Sequence, residues 1–110
     1  MNLHTDERRT LIEFGNGKNW KVCKVVETKE DCTLGNHYHK EKDESFMLVS
    51  GSGTIRVDSP NEIVPHIKEK MKLFKEYFVP ANMIHEFSLV KNSILIGLCS
   101  KEFNSEDDYC

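Results

Sequence analysis

Apolar residues in this chain come in short runs that are cut off by glycine, proline, asparagine or serine. Runs of that kind mark strands, because successive side chains of a strand point to opposite faces of a sheet. Residues 20–26 alternate apolar with mixed side chains, as a half-buried strand does. Residues 45–50 (Ser-Phe-Met-Leu-Val-Ser) read as a buried strand that ends at Gly51-Ser52-Gly53, and residues 54–58 alternate until Ser59-Pro60-Asn61. Further strands are expected at 76–79, 86–90 and 93–100, and Leu34-Gly35-Asn36 reads as a turn before His37-Tyr38-His39. Only residues 66–75 suit a helix, with Ile67, Met71 and Phe74 at helical spacing, and a strand is the alternative because the stretch is short. Many short strands joined by Gly and Pro turns indicate an all-β sandwich or barrel.

A length of 110 residues gives one domain and excludes a conventional two-domain enzyme with a separate nucleotide-binding half. No apolar run approaches the roughly 18 residues of a membrane span, and the charged N-terminus lacks the apolar stretch of a signal peptide. A net charge of −3 gives no electrostatic reason to expect a nucleic-acid partner. The four cysteines (Cys23, Cys32, Cys99, Cys110) are too few for a disulfide scaffold, and none forms a Cys-x-x-Cys pair. The expectation is a soluble, cytoplasmic domain with no membrane partner.

Chemistry concentrates in one stretch. His37 and His39 are two apart, so in a strand they converge on one point. Residues 40–43 can turn the chain so that Glu44 starts the next strand with its carboxylate beside the two imidazoles. Far away in sequence, Pro80-Ala81-Asn82-Met83-Ile84-His85 offers a third imidazole if its strand is a neighbour across the barrel. Three imidazoles and one carboxylate suit a divalent transition ion such as Zn, Ni, Mn, Fe or Cu, and leave one or two coordination positions open. His37, His39, Glu44 and His85 are therefore the expected metal ligands.

The spacing His37-x-His39-x4-Glu44-x6-Gly51 resembles the first motif of the cupin superfamily, and Pro80-x4-His85 resembles the centre of the second. The resemblance covers about residues 20–100 and implies a double-stranded β-helix, a small jelly-roll-like barrel, that pairs as a homodimer. Gly35-Asn36-His37-Tyr38-His39-Lys40 is similar to the "R-G-N/x-H-x-H" segment of cupins acting on nucleotide-linked sugars, with Leu34 where arginine is common. Residues 98–109 are similar to the tail of sugar-nucleotide 3,4-ketoisomerases. The first motif also resembles the cupin half of capsular-polysaccharide reductases. The resemblance implies an isomerase or epimerase of a keto sugar or nucleotide sugar for surface polysaccharide synthesis. Metal-free ketoisomerases tend to carry glutamine where Glu44 stands, so the glutamate points to a metallated site. In the metal-free relatives the residue matching His37 is the expected base with His39 beside it, so these two are catalytic residues only for an unmetallated site.

The same donor set also serves an iron-dependent dioxygenase, and a non-catalytic small-ligand sensor is the third reading. Other conspicuous residues have plainer roles. His4 and His66 read as surface histidines, Arg56 and the lysines from Lys68 to Lys75 as solvated faces. Trp20, Phe46, Leu48, Phe87 and Ile94 read as sheet packing, and Cys23 and Cys99 as small core residues.

Overall fold

The computed structural model describes residues 2–15, 17–59 and 67–102, with Asn36 and His37 described by backbone alone. Ten strands follow one another: β1 (Asn2–Thr5), β2 (Thr10–Glu13), β3 (Val22–Glu27), β4 (Cys32–His37), β5 (Glu44–Ser50), β6 (Gly53–Asp58), β7 (Ile67–Lys70), β8 (Glu76–Val79), β9 (Ile84–Leu89) and β10 (Ile94–Cys99). Strands β3-β10-β5-β8 form one antiparallel sheet and β4-β9-β6-β7 a second, while β1 and β2 pair with each other. No helix occurs among the described residues.

The two four-stranded sheets close on each other because each carries an alternating apolar face. In β9, His85, Phe87 and Leu89 are buried, and in β10 so are Leu95, Gly97 and Cys99. One core joins Phe46, Leu48, Tyr77, Val79 and Leu95 of the first sheet to Ile55, Val57, Phe87 and Leu89 of the second. Strand β5 is central and buried on both sides. Its outer residue Ser45 donates a hydrogen bond to Glu76 Oε2 at 2.5 Å, and Glu76 in turn accepts the N–H of Gly15 at 2.8 Å. The segment around Gly15, where Trp20 Nε1 donates to the Gly15 carbonyl, thus lies along the outer side of that sheet.

Six expected strands are present with small shifts at their ends. Two expectations about secondary structure are corrected. Residues 67–70 are strand β7, hydrogen-bonded along β6 from Thr54↔Lys70 to Val57↔Ile67; pairing to a neighbour overrides the helical spacing that a short segment shows by itself. Leu34-Gly35-Asn36 is no turn but the middle of β4, where the register against β9 shifts between Gly35 and His37. Gly35 has φ +93°, and a Cβ there would lie 2.7 Å from the His85 carbonyl oxygen. A glycine in the left-handed region therefore builds a β-bulge at this point, and bulges re-aim the residues that follow. Gly51 ends β5 with φ +88°, and a Cβ there would collide with Ser93.

Among the residues given plainer roles, Phe46, Leu48 and Phe87 are core, whereas Trp20 and Ile94 are half-buried and outside it. Cys99 is buried, but Cys23 is exposed on the outer side of β3 and is not a core residue; β3 is an edge strand with its odd-numbered side chains facing out. His4 and Arg56 are exposed as expected. His66 lies outside the described residues, as does the tail from 103 onward.

Candidate metal centre

Glu44, His39 and His85 reach one point from three different parts of the fold. Glu44 opens β5 in the first sheet, His85 is the second residue of β9 in the second sheet, and His39 sits on the connection between the sheets. All three are buried, and each offers a ligand atom within 4.8 Å of the others. Nε2 of His39 lies 3.3 Å from Glu44 Oε1 and Nε2 of His85 lies 3.6 Å from it. The backbone places His37 directly opposite His85 in the β4–β9 pair; its side chain lies outside the described residues. Of the four expected ligands, the structure brings three together and puts the fourth at the adjacent register position.

Two ties hold these parts in place. The N–H of Asn82 donates to the His39 carbonyl, joining the loop before β9 to the loop before β5. Asp43 does the same from its side chain: Oδ1 accepts the N–H of Ala81 at 2.9 Å, while its own N–H donates to Ser100 Oγ at 2.9 Å. Its other oxygen pairs with Lys18 at 3.2 Å. Asp43 thus fixes the residue before Glu44 against the turn that leads to His85. The His85 ring packs against Phe46 and Phe87, at centroid distances of 5.6 and 6.0 Å, and those two phenyl rings meet edge to face at 4.7 Å.

The electrostatics centre on Glu44. Its Oε2 accepts from Lys24 Nζ at 3.1 Å and from the Cys99 thiol at 3.4 Å. Burial pushes this carboxyl up, but Lys24, His85 and Lys42 outweigh it and hold the group below its ordinary value. Burial pushes the Cys99 thiol up, against the pull of Lys24, and the Glu44 carboxylate adds to the rise. Cys99 is therefore a neutral donor to the carboxylate and not a nucleophile. Glu44 Oε1, buried and facing two imidazoles, accepts no hydrogen bond among the described residues. A buried carboxylate oxygen left in that condition costs free energy unless something fills the gap. Two imidazoles and a carboxylate oxygen around such a gap fit a divalent transition ion.

Beside the donors opens a cavity of about 210 Å³, walled by Val26, Leu34, Phe46, Phe87 and Leu95, with Lys24 and His85 on its lining. Its walls are mainly apolar with few polar groups, the usual make-up of a small-molecule site.

Residues 4–97 match the family described as the polysaccharide biosynthesis C-terminal domain. The chain belongs to that family. No curated protein matches it in sequence. Among solved structures, this family member resembles a 3,4-ketoisomerase from Helicobacter canadensis (TM-score 0.84, 22% identity, 97% of this chain and 84% of that one). It also resembles a dTDP-4-dehydrorhamnose 3,5-epimerase from Bacillus anthracis, solved with TDP and pyrophosphate (TM-score 0.81, 15% identity, 97% and 73% covered). A third neighbour is the capsular polysaccharide assembling protein CapF of Staphylococcus aureus (TM-score 0.75, 24% identity), of which the match covers 98% of this chain but 31% of CapF. The chain thus spans about a third of CapF. At these identities the likeness establishes the fold, which is the all-β cupin jelly roll that the motif resemblance implies.

Lys24, Asp43 and the donor role of Cys99 are absent from the sequence-based site. A signal for Lys24 exists in retrospect: it falls in phase with Val22 and Val26, so a strand that buries those two turns the lysine inward as well. Asp43 and Cys99 act through partners far away in sequence, which no local pattern records.

Proposed function

We propose that this chain is a metal-binding cupin that isomerises or epimerises a keto sugar carried on a nucleotide, in the synthesis of a surface polysaccharide. The observation that carries the proposal is the buried group His39, Glu44 and His85, gathered from both sheets at the edge of an apolar cavity. Membership of the polysaccharide biosynthesis C-terminal domain family and the ketoisomerase and epimerase neighbours support the reaction class.

Moving a keto group or inverting a centre beside it requires removal of the proton α to the carbonyl and its return at a neighbouring position. His39, Glu44 and His85 would hold one divalent ion, with His37 as the fourth ligand. When bound, such an ion supplies a Lewis acid at a keto oxygen. Phe46, Phe87, Val26 and Leu95 keep water from the reacting carbons, and Lys24 places a positive charge on the same cavity for an anionic intermediate. A ligating imidazole nitrogen has no lone pair for a proton. In the ion-free site His37 and His39 are therefore the groups that take and return it.

The chain is further proposed to pair as a homodimer in the cytoplasm. Hairpin β1–β2 pairs with no other strand among those described and leaves Leu3 59% exposed; an isolated two-stranded hairpin is marginal in water, so a second chain is its natural support. Free thiols at Cys23, Cys32 and Cys99 suit a reducing compartment.

The test is elemental analysis of the purified chain and of His85→Ala, with incubation of both in deuterated buffer with a 4-keto-6-deoxy nucleotide sugar. About one equivalent of metal and exchange of the proton α to the carbonyl are expected for the unaltered chain, and both should fall in the variant. No metal in either protein refutes the metal centre, and no exchange across a panel of nucleotide sugars refutes the reaction.

A further inference from the structure

We propose that Lys24 competes with the metal for Glu44, so that this lysine sets how tightly the site takes a divalent ion. The inference rests on the reading of His39, Glu44 and His85 as metal ligands and adds a residue from outside that set. The geometry divides the carboxylate between two uses. Oε1 faces the two imidazole Nε2 atoms at 3.3 and 3.6 Å, while Oε2 is taken by Lys24 Nζ at 3.1 Å and the Cys99 thiol at 3.4 Å. A carboxylate can give a metal either one oxygen or both. Here the second oxygen is occupied by an ammonium, so Glu44 has one oxygen to offer.

Lys24 also satisfies part of what an ion would satisfy. Glu44 is 1% exposed, and a buried carboxylate needs a compensating charge. The lysine supplies it from an edge strand, with its side chain still 44% exposed and its Nζ 5.6 Å from the centre of the Phe46 ring. A long, half-exposed side chain can withdraw toward water when a stronger cation arrives, at the cost of that ring contact and the ion pair. An ion at Oε1 and the ammonium at Oε2 stand on opposite sides of one carboxylate, about 6 Å apart once an ion–oxygen distance of about 2 Å and the 3.1 Å from Oε2 to Nζ are included. Like charges at about 6 Å, one of them divalent, repel by roughly tenfold in affinity even at the dielectric constant of water. Lys42, buried in the loop just before Glu44, adds a second positive charge nearby and sharpens the same competition.

The experiment measures Zn2+ affinity of the whole chain by competition with a chromophoric chelator, and Co2+ binding by its visible absorption. Lys24→Met, Lys24→Gln and Lys24→Arg are compared with the unaltered protein. Lys24→Met and Lys24→Gln should bind Zn2+ at least tenfold more tightly, and Zn2+ should raise their melting temperatures more than it raises that of the unaltered chain. Lys24→Arg, which keeps the charge, should bind within about threefold of the unaltered chain. Lys24→Gln keeps an N–H donor for Oε2 and serves where Lys24→Met does not fold. Neutral variants that bind Zn2+ no more tightly than the unaltered chain overturn the role of Lys24 and leave the metal centre standing. Absence of metal binding in all four proteins overturns the metal centre itself, and this inference with it.

Discussion

Replacing Asp43 by alanine removes the side chain that ties the start of β5 to the turn before β9. The loss can be worked from its contacts. The bond from the Ala81 N–H to Oδ1, 2.9 Å and part-buried, goes to a charged acceptor and is worth about 1.5–3 kcal/mol. The Lys18 pair at 3.2 Å is largely exposed and adds about 0–0.5 kcal/mol after screening. The backbone bonds of Asp43 to Ser100 persist in the variant. A total near 2 kcal/mol corresponds to a fall in Tm of about 8 °C for a domain of this size. Asp43→Asn keeps an acceptor for Ala81 and should lose less than half of that. Calorimetry of the three proteins, paired with Zn2+ competition, separates stability from site geometry. Asp43→Ala should weaken Zn2+ binding several-fold, because the loops bearing His39 and leading to His85 lose one of their two mutual ties. An alanine variant that melts within 2 °C of the unaltered chain and binds Zn2+ equally well would falsify the reasoning.

Two other outcomes follow from the same geometry. Gly35→Ala places a Cβ 2.7 Å from the His85 carbonyl at φ +93°, whereas Gly17→Ala, at φ +84° with open space around it, meets strain alone. Thermal melts should therefore show Gly17→Ala losing about 1 kcal/mol and Gly35→Ala clearly more, with Zn2+ binding impaired only in the latter; equal losses in the two variants would exclude a crowded bulge beside His85. Glu44 titrates in the folded chain below its ordinary value of 4.5, so it contributes stability that is present above that value and is lost as pH falls through it toward the folded value. Urea midpoints taken from pH 6 down to pH 3 should drop less steeply for Glu44→Gln than for the unaltered metal-free chain, and parallel curves would refute the assigned shift.

How much of this was readable beforehand depended on the range over which each residue acts. Strands β3 and β6 announce themselves through alternation with period two, and β5, β8, β9 and β10 through short segments between turn signals, with the core residues Phe46, Leu48 and Phe87 read as sheet packing within them. His39 and Glu44 were legible because a short turn links them, and His85 because Pro80-x4-His85 resembles the centre of the second cupin motif. Residues 67–70 carry both periods, and only the β6 partner decides between them. The bulge at Gly35 reads as a turn because glycine signals a positive φ without saying what the flanking chain does. Hairpin β1–β2 buries almost nothing and therefore leaves no apolar pattern to find. Asp43, Lys24 and Cys99 owe their roles to partners across the fold, so their own surroundings in sequence are silent.

Glu44 and His85 stand in opposite sheets, and that arrangement makes the site a seam of the barrel as well as a place for chemistry. Whatever both residues grip at once joins the two sheets, so its binding free energy is added to the work of separating them. Amide exchange in β5 and β9 should then slow together on binding, although no hydrogen bond connects the two strands. Selection for a tightly held ligand and selection for a closed barrel act on the same few atoms, and a chain this small can answer both with one site.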